Sequence, residues 1–352
     1  MVGQMLSRVL LHTSRCLLLS LLALLSFVPL LHAGFSVKGA AVMDGKGQPF
    51  VISGFNVTHA WLPQNTPVAI NAAAAYGANT IRLVLSNGHI WRKTSIDEVL
   101  AIITQAKSLG IVTMLEVHET TGFGANSAAI SIAEVMPYWL SLVDVLKGSE
   151  DYVMINIGNE PVHGEGELAN WKQPHIDAIQ ALRSVGLKHL LVVDALSYGQ
   201  DYGRLMAKHA PDITRADPLH NVLYSVHMYQ VYPTALKVKQ YFDDFKAIDL
   251  PLIVGEFGDE HQGSPVDEDA IINLAAQYQV GLLAWSWTGN NKENQHLDLA
   301  IKGDVDKLST WGQRFLLGEN GVCQKSQLTT SLLVELEQQK LLRTRCINSP
   351  TK

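Results

Sequence analysis

The sequence predicts an α/β protein built as a single (β/α)8 barrel. Short apolar stretches alternate with amphipathic ones over residues 35–318 and give eight strand–helix repeats. Most of these strands are apolar at every position, as expected when both faces of a parallel sheet are covered. The repeats occupy a length close to the roughly 250 residues of such barrels. A doubly wound open sheet is the alternative, but no glycine-rich phosphate turn follows the first strand.

The strands are predicted from short runs rich in Val, Ile and Leu, each of which ends on polar or aromatic residues. In chain order they cover residues 50–57, 80–86, 111–119, 152–160, 189–195, 221–229, 250–258 and 282–289.

The helices are predicted from their periodicity and from the residues at their ends. Ser95 and Glu98 have the spacing of a capping box, and Gly77 and Gly110 are typical helix stops. The predicted helices cover residues 67–77, 95–110, 133–148, 174–186, 201–209, 234–248, 267–281 and 305–317.

We divide the chain into a signal peptide (residues 1–33), a catalytic domain (34–319) and a short tail (320–352). Arg8 and Arg15 precede an apolar stretch that is shorter than the roughly 20 residues of a bilayer span, and Ala33 suits cleavage. We therefore expect a secreted protein, extracellular or periplasmic, without membrane attachment after cleavage. A retained anchor is the alternative.

The composition excludes some classes of partner. The chain has 352 residues, 47% hydrophobic and 17% charged, which suits a large packed core. Its net charge of −6 and the absence of a basic stripe argue against nucleic acid. No nucleotide-binding turn or CxxC pair is present, so we expect no cofactor and no metal. We expect a monomer.

Two cysteines remain once the signal is removed, Cys323 and Cys346, and in an exported chain they predict one disulfide that holds the tail. Two free thiols are the alternative. The tail also contains an amphipathic stretch, residues 328–343, that could form a helix. Asn56 begins a glycosylation sequon, but it ends a predicted strand on the functional face, so we do not expect it to carry a glycan.

Chemistry in such a barrel lies at the C-terminal ends of the strands. Taken singly, each residue there has a plain structural explanation, and Trp287 in particular is typical of packing. Their conjunction across many strands indicates a site. In strand order these residues are Asn56, His59 and Trp61; Arg82, Ser86 and Asn87; His118 and Glu119; Asn159 and Glu160; Asp194; His227 and Tyr229; Glu256; and Trp285 and Trp287.

Glu160 and Glu256 end the fourth and seventh strands, and barrel closure should bring them together. Glycoside hydrolysis uses two carboxyl groups, about 5–5.5 Å apart when the anomeric configuration is retained. Burial beside a second carboxylate can keep the acid protonated. Arg82 and Tyr229 suit an ionised nucleophile. Asn159 can donate to a sugar 2-hydroxyl and Trp285 can stack on a sugar ring.

The motifs "NIGNEP", "VGEFG", "SVHMY" and "AWSW", together with "GFNVTHAW" and "LEVHETTG", resemble those of glycoside hydrolase family 5. The resemblance spans about residues 35–318 and is closest to the bacterial endo-β-1,4-mannanase branch. It implies a retaining barrel with Glu160 as acid/base and Glu256 as nucleophile. The expected substrate-binding residues are Arg82, His118, Asn159, His227, Tyr229 and Trp285, to which we add Trp61 and Trp287.

We therefore expect a retaining endo-hydrolase of β-1,4-linked mannan, glucomannan or galactomannan. An endo-β-1,4-glucanase with the same pair is the nearest alternative. A metal-dependent barrel hydrolase would use His118 and His227, but the first strand lacks His-x-His and "HETTG" is not HExxH. A catalytically inactive sugar-binding protein would not need the carboxylate pair.

Overall fold

The computed structural model describes residues 34–164, 168–332 and 342–346. Its strands are β1 (Ser36–Lys38), β2 (Ala41–Met43), β3 (Ser53–Val57), β4 (Thr80–Leu85), β5 (Val112–Val117), β6 (Val153–Asn156), β7 (Leu191–Asp194), β8 (Val222–Met228), β9 (Leu252–Phe257), β10 (Glu260–His261), β11 (Ser264–Pro265) and β12 (Gly281–Ala284). Strands β3 to β9 and β12 pair in parallel, each with its neighbour in the chain, and β12 closes the barrel on β3. The predicted (β/α)8 barrel is confirmed.

The helices cover the outer face of the barrel. They are α1 (Thr66–Ala75), α2 (Ile96–Ser108), α3 (Ile132–Ser141), α4 (Val143–Leu146), α5 (Leu168–Ser184), α6 (Met206–Ala216), α7 (Ala235–Ala247), α8 (Glu268–Tyr278), α9 (Thr310–Leu317) and α10 (Val322–Lys325). The capping box predicted for α2 is present, because Ser95 accepts from the Glu98 backbone and Glu98 accepts from that of Ser95.

Several helix bounds differ from the prediction. Helix α5 begins before Pro174 and α6 runs through Pro211, because the buried faces of both helices outweigh the missing N–H donor. The helix predicted over 133–148 divides at Leu142 into α3 and α4. The helix predicted near 305–317 begins only after Ser309, whose side chain caps α9.

Gly281 does not end a helix, although the predicted helix over 267–281 extended to it. Helix α8 ends at Tyr278, Gln279 takes the left-handed conformation, and Gly281 is already the first residue of β12. A Cβ at position 281 would lie 2.8 Å from Ile52 Cβ and 2.9 Å from Ile253 Cγ2, so the close approach of the neighbouring strands requires glycine there.

Two antiparallel hairpins, β1–β2 and β10–β11, were not predicted. Their strands have only two or three residues, too few for a period of two to be recognised. The first hairpin brings Phe35 and Phe50 together, with ring centroids 5.0 Å apart, in the cluster that also fills the lower barrel. Phe50 therefore pairs with Val42 rather than extending β3.

The barrel interior is layered, because every second residue of a strand points inward. The lower layer is apolar and includes Met114, Met154, Val192, Leu223, Ile253 and Leu283. At the next inward positions, toward the C-terminal ends of the strands, the side chains are polar. These buried residues, the polar layer, are Asn56, Arg82, Glu116, Asn156, Asp194 and Ser225. This polar layer supports the residues at the strand ends.

The tail packs on the barrel. Cys323 and Cys346 form a disulfide, as predicted, with Cα atoms 5.3 Å apart. The backbone N–H groups of Arg343 and Arg345 donate to the end of α1, to Ala74 and Ala75. Residues 328–332 are not helical. The rest of the helix predicted over 328–343 lies largely outside the described residues, as does the whole signal peptide over 1–33. In the described ranges, no helix is long and apolar enough to cross a membrane.

Candidate active site

Arg82 lies at the centre of the polar layer and is fully buried. A guanidinium has five N–H donors, and here each has an acceptor. Nε donates to Asn156 Oδ1 (2.8 Å), Nη1 to Asn56 Oδ1 and Glu256 Oε1 (2.9 Å each), and Nη2 to Asn159 Oδ1 (2.7 Å) and Asp194 Oδ2 (3.1 Å). Arg82 thus joins the ends of five strands into one rigid network.

Glu256, near the end of β9, is held through both carboxyl oxygens. Arg82 donates to Oε1, and the Tyr229 hydroxyl donates to Oε2 at 2.9 Å. Burial, followed by the charge of Glu256, raises the pKa of Tyr229 well above its usual value, so the phenol remains a donor. These two donors, one of them the charged guanidinium of Arg82, fix the orientation of the Glu256 carboxyl group.

Glu160, after β6, has the opposite environment. Its Oε1 lies 2.7 Å from His227 Nδ1, and burial raises the pKa of its carboxyl group, reinforced by the nearby charge of Glu256 and opposed by His227. One carboxyl oxygen of Glu160 and one of Glu256 lie within 4.8 Å of each other. The structure therefore brings the two predicted glutamates together at the separation of a retaining pair.

His227 lies beneath this pair and contacts three acids. Its Nδ1 is 3.6 Å from Glu256 Oε2, and its Nε2 is 3.3 Å from Asp194 Oδ2. Burial alone would lower the pKa of His227, but the charges of Glu256 and Asp194 outweigh burial and raise it to about 10. The ring is therefore a cation at neutral pH and donates to Glu160.

The backbone at Glu160 is held in a strained conformation, with φ +42°. Such a conformation costs on the order of 1–3 kcal/mol and persists only where surrounding bonds fix it. Here the Glu160 N–H donates to Asp194 Oδ2 at 3.3 Å, and its carbonyl accepts from the Gly122 N–H at 2.9 Å. The strand end is thereby turned so that the carboxyl group faces the barrel mouth.

Aromatic rings form one wall of the mouth. The His118 ring is nearly parallel to that of Trp285, with 5.6 Å between centroids and 15° between planes. Trp61 and Trp91 contact His118 at 5.5 and 5.8 Å. This wall has flat apolar faces of the kind that bind sugar rings. Three of its four rings, those of Trp61, His118 and Trp285, were predicted as site residues, whereas Trp91 was not.

A polar groove forms the opposite side of the mouth, next to Glu160. It encloses about 350 Å³ and is lined by Glu160, Tyr198, Gln200, Tyr202, Tyr229, Gln230, His261 and Gln262. Tyr202 is half exposed. Most of these residues were not predicted as site residues, because they lie on loops whose course cannot be predicted from periodicity.

Three predicted sugar contacts need correction. Trp287 is only 1% exposed and packs on Phe55 and Tyr76 in the outer core, so it has no face toward the mouth. Arg82 and His227 are fully buried below the carboxyl pair, and their side chains contact the glutamates instead of the open mouth. Asn56 is equally buried and bonded to Arg82, which leaves its amide inaccessible to glycosylation.

Three residues of the polar layer, Glu116, Asn156 and Ser225, were also missed, although the sequence contains a signal for them. Glu116 lies two residues before His118, and Ser225 lies two residues before His227. In a strand that spacing places both members on the same face. Polar residues at alternate positions of otherwise apolar strands therefore mark the interior below a site.

Glu160, His227 and Glu256 are close enough to hold a metal ion, but the chemistry of the donors does not suit one. The His227 ring is protonated and cannot act as a ligand in that form. The guanidinium of Arg82, 2.9 Å from Glu256, already compensates the carboxylate. The predicted metal-dependent alternative also needed His118, which is bonded instead to Glu116. Activity that survives chelation would separate the two chemistries.

The known proteins that this chain resembles are glycoside hydrolases. The family described as cellulase (glycosyl hydrolase family 5) matches residues 43–291. A mannan endo-1,4-β-mannosidase of Cellvibrio japonicus is 43% identical over 298 residues, which are 85% of this chain and 69% of the relative. The crystal structure of a β-mannanase from Streptomyces thermolilacinus with mannohexaose has a TM-score of 0.81 and 42% identity, over 84% of this chain and 97% of that one. Endoglucanase B of Ruminococcus albus is 22% identical, over 69% of this chain and 68% of the relative.

Proposed function

The chain belongs to glycosyl hydrolase family 5, and from this premise we propose that it is a mannan endo-1,4-β-mannosidase that works by double displacement. The observation that carries the mechanism is the separation of the Glu160 and Glu256 carboxyl oxygens, within 4.8 Å. Inverting enzymes need roughly 6.5–9.5 Å to admit a water molecule between their carboxyl groups. The two different environments of the pair then assign the two roles.

In the first step, Glu256 attacks the anomeric carbon as nucleophile. The new bond joins its carboxyl oxygen to C1 while the bond from C1 to the leaving oxygen breaks. Glu160 gives its proton to that oxygen. Because Oε1 of Glu160 accepts from His227, the proton of the neutral acid resides on Oε2, free to face the leaving group.

In the second step, water replaces the ester. Glu160, now a carboxylate, takes a proton from the water. The water oxygen bonds to C1 as the bond from C1 to Glu256 breaks. Two inversions give net retention. Through the reaction, one negative charge moves from Glu256 to Glu160 and back. His227 lies beside both positions and Arg82 lies beside Glu256, so little reorganisation is needed.

Cleavage within a chain requires binding on both sides of the scissile bond. The leaving part of the substrate must lie on the side of the acid, over the polar groove beside Glu160. The part that becomes attached to Glu256 then lies along the aromatic wall of Trp61, Trp91 and Trp285. The mouth thus has two chemically different halves, which fixes the direction of the bound polysaccharide.

Mannan is favoured over glucan by the relatives. The mannosidase of Cellvibrio japonicus is 43% identical, against 22% for Endoglucanase B of Ruminococcus albus. A reducing-sugar assay on galactomannan, glucomannan and carboxymethylcellulose tests the assignment. We expect turnover of both mannans and at most weak release from carboxymethylcellulose. Preference for carboxymethylcellulose would instead support the endoglucanase alternative.

We also propose that the protein is exported with loss of its signal peptide and acts outside the cytoplasm as a monomer. The basic start and the apolar stretch before Ala33 support export, and the Cys323–Cys346 disulfide suits an oxidising compartment. N-terminal sequencing of protein recovered from the medium or periplasm should begin at or near Gly34. An intact N-terminus in the membrane fraction would favour a retained anchor.

A further inference from the structure

Glu116 is a buried carboxylate that the double displacement does not use. It lies in β5, is fully buried and belongs to the polar layer. Its Oε1 is 2.8 Å from His118 Nδ1 and 3.7 Å from Arg82 Nη1. Its Oε2 is buried without a hydrogen-bond partner among the described residues. A carboxylate so poorly solvated needs compensating positive charge, and Arg82 and His118 supply it.

His118 is oriented from every side. Its ring is held between the indoles of Trp61, Trp91 and Trp285, and Glu116 occupies Nδ1. The side chain is 12% exposed, and in the described part of the chain no residue is hydrogen-bonded to Nε2. That nitrogen is therefore the polar atom that the aromatic wall offers to a ligand.

We propose that Glu116 is a positioning residue for the substrate: it fixes the His118 ring and its charge, so that Nε2–H donates to a hydroxyl of the mannosyl unit bound along the aromatic wall. The inference rests on the proposed function, because the sugar that His118 contacts is taken to be a unit of the mannan substrate. A neutral imidazole bonded through Nδ1–H would offer Nε2 only as an acceptor. The carboxylate of Glu116 decides between these forms.

The charges around His118 support this arrangement. The charged or titratable groups that act on it are Glu116, Glu256 and Arg82, and it in turn acts on Glu160. Burial alone would lower the pKa of His118, but the charge and hydrogen bond of Glu116 outweigh burial and raise it. When Glu160 and His118 both carry their protons, three cations lie among three carboxyl groups. The cations are Arg82, His118 and His227, and the carboxyl groups are those of Glu116, Asp194 and Glu256.

The test is Glu116→Gln, which keeps the shape of the side chain and removes its charge. We expect the His118 titration, followed by NMR of labelled histidine and assigned with His118→Gln, to move to lower pH. The value of kcat/KM on mannopentaose should fall about 10- to 100-fold at neutral pH, since a hydrogen bond from a charged group has that worth. The loss should lie mainly in KM and should shrink as the pH is lowered and the ring regains its proton.

Two further variants separate positioning from simple stability. Glu116→Asp retains the charge and should restore most of the wild-type pH dependence of KM. Asp217→Asn removes another buried carboxylate, paired with Arg183 away from the site, and should lower stability without changing that pH dependence. If Glu116→Gln does not fold, Glu116→Asp and the wild-type titration carry the test, because His118 of the wild type must titrate above the usual 6.5 of histidine.

An unchanged His118 titration in Glu116→Gln would overturn the inference, as would a loss of kcat/KM that is equal at every pH. Failure of the wild-type protein to hydrolyse mannan would reject the proposed function instead. The NMR titration needs no substrate, so it would still report on Glu116 and His118 in that case.

Discussion

Replacing Arg82 with lysine should weaken both the fold and the reaction. An ammonium group has three N–H donors where the guanidinium has five, so at least two of the five acceptors around Arg82 lose their partner. Each unsatisfied buried acceptor costs roughly 1–3 kcal/mol. The free energy of unfolding should therefore fall by about 2–6 kcal/mol.

The same substitution should reduce kcat by roughly 10- to 150-fold in the folded fraction. That range corresponds to losing one charge-assisted hydrogen bond to Glu256, worth about 1.5–3 kcal/mol. Arg183→Lys is the matched control, because the Arg183 side chain is also largely buried. It makes five hydrogen bonds as well, but to Asp217 and backbone carbonyls away from the site. It should lose stability while keeping kcat.

Urea unfolding and initial rates on mannopentaose measure the two effects. A lysine variant with kcat within threefold of wild type would refute the idea that Arg82 orients the nucleophile. Equal losses of kcat in the variants of Arg82 and Arg183 would refute it as well, since both would then reflect general destabilisation.

Two other predictions concern the acid and the tail. Because burial raises the pKa of Glu160 and the acid must be protonated, kcat/KM should fall as pH rises through a value above the usual 4.5 of glutamate. This alkaline decline should disappear in Glu160→Gln when the substrate is an activated aryl mannoside. An unchanged decline in that variant would assign it to another group. Replacing Cys323 and Cys346 with serine opens a loop of 23 residues and should lower the free energy of unfolding by about 3 kcal/mol without changing kcat. A lower kcat under conditions where the variant is fully folded would show that the tail acts on the site.

The barrel could be predicted because its determinants are local. Eight apolar runs alternate with amphipathic ones, and covalent order then dictates which strands are neighbours. That order is sufficient to place Glu160 and Glu256 across one mouth. The hairpins β1–β2 and β10–β11 were missed because strands of two or three residues carry no readable period.

Burial of individual side chains was harder to predict. Trp285 and Trp287 are separated by one residue, yet the first lies on the aromatic wall while the second packs on Phe55. The sequence position of a residue at a strand end does not predict the direction of the chain after the strand, and so it does not predict which side chain faces the barrel mouth. Arg82 could be recognised as a partner of the nucleophile, but its complete burial depends on five acceptors from four other strands, which only the closed barrel brings together.

The most direct test of the carboxylate pair is proton NMR of the sugar anomers during the first minutes of mannopentaose hydrolysis. Attack by Glu256 followed by attack of water should give the β-anomer first, and the α-anomer should appear only later by mutarotation. Initial release of the α-anomer would mean that water attacks directly, and it would contradict the mechanism derived from the short distance between the two carboxyl groups.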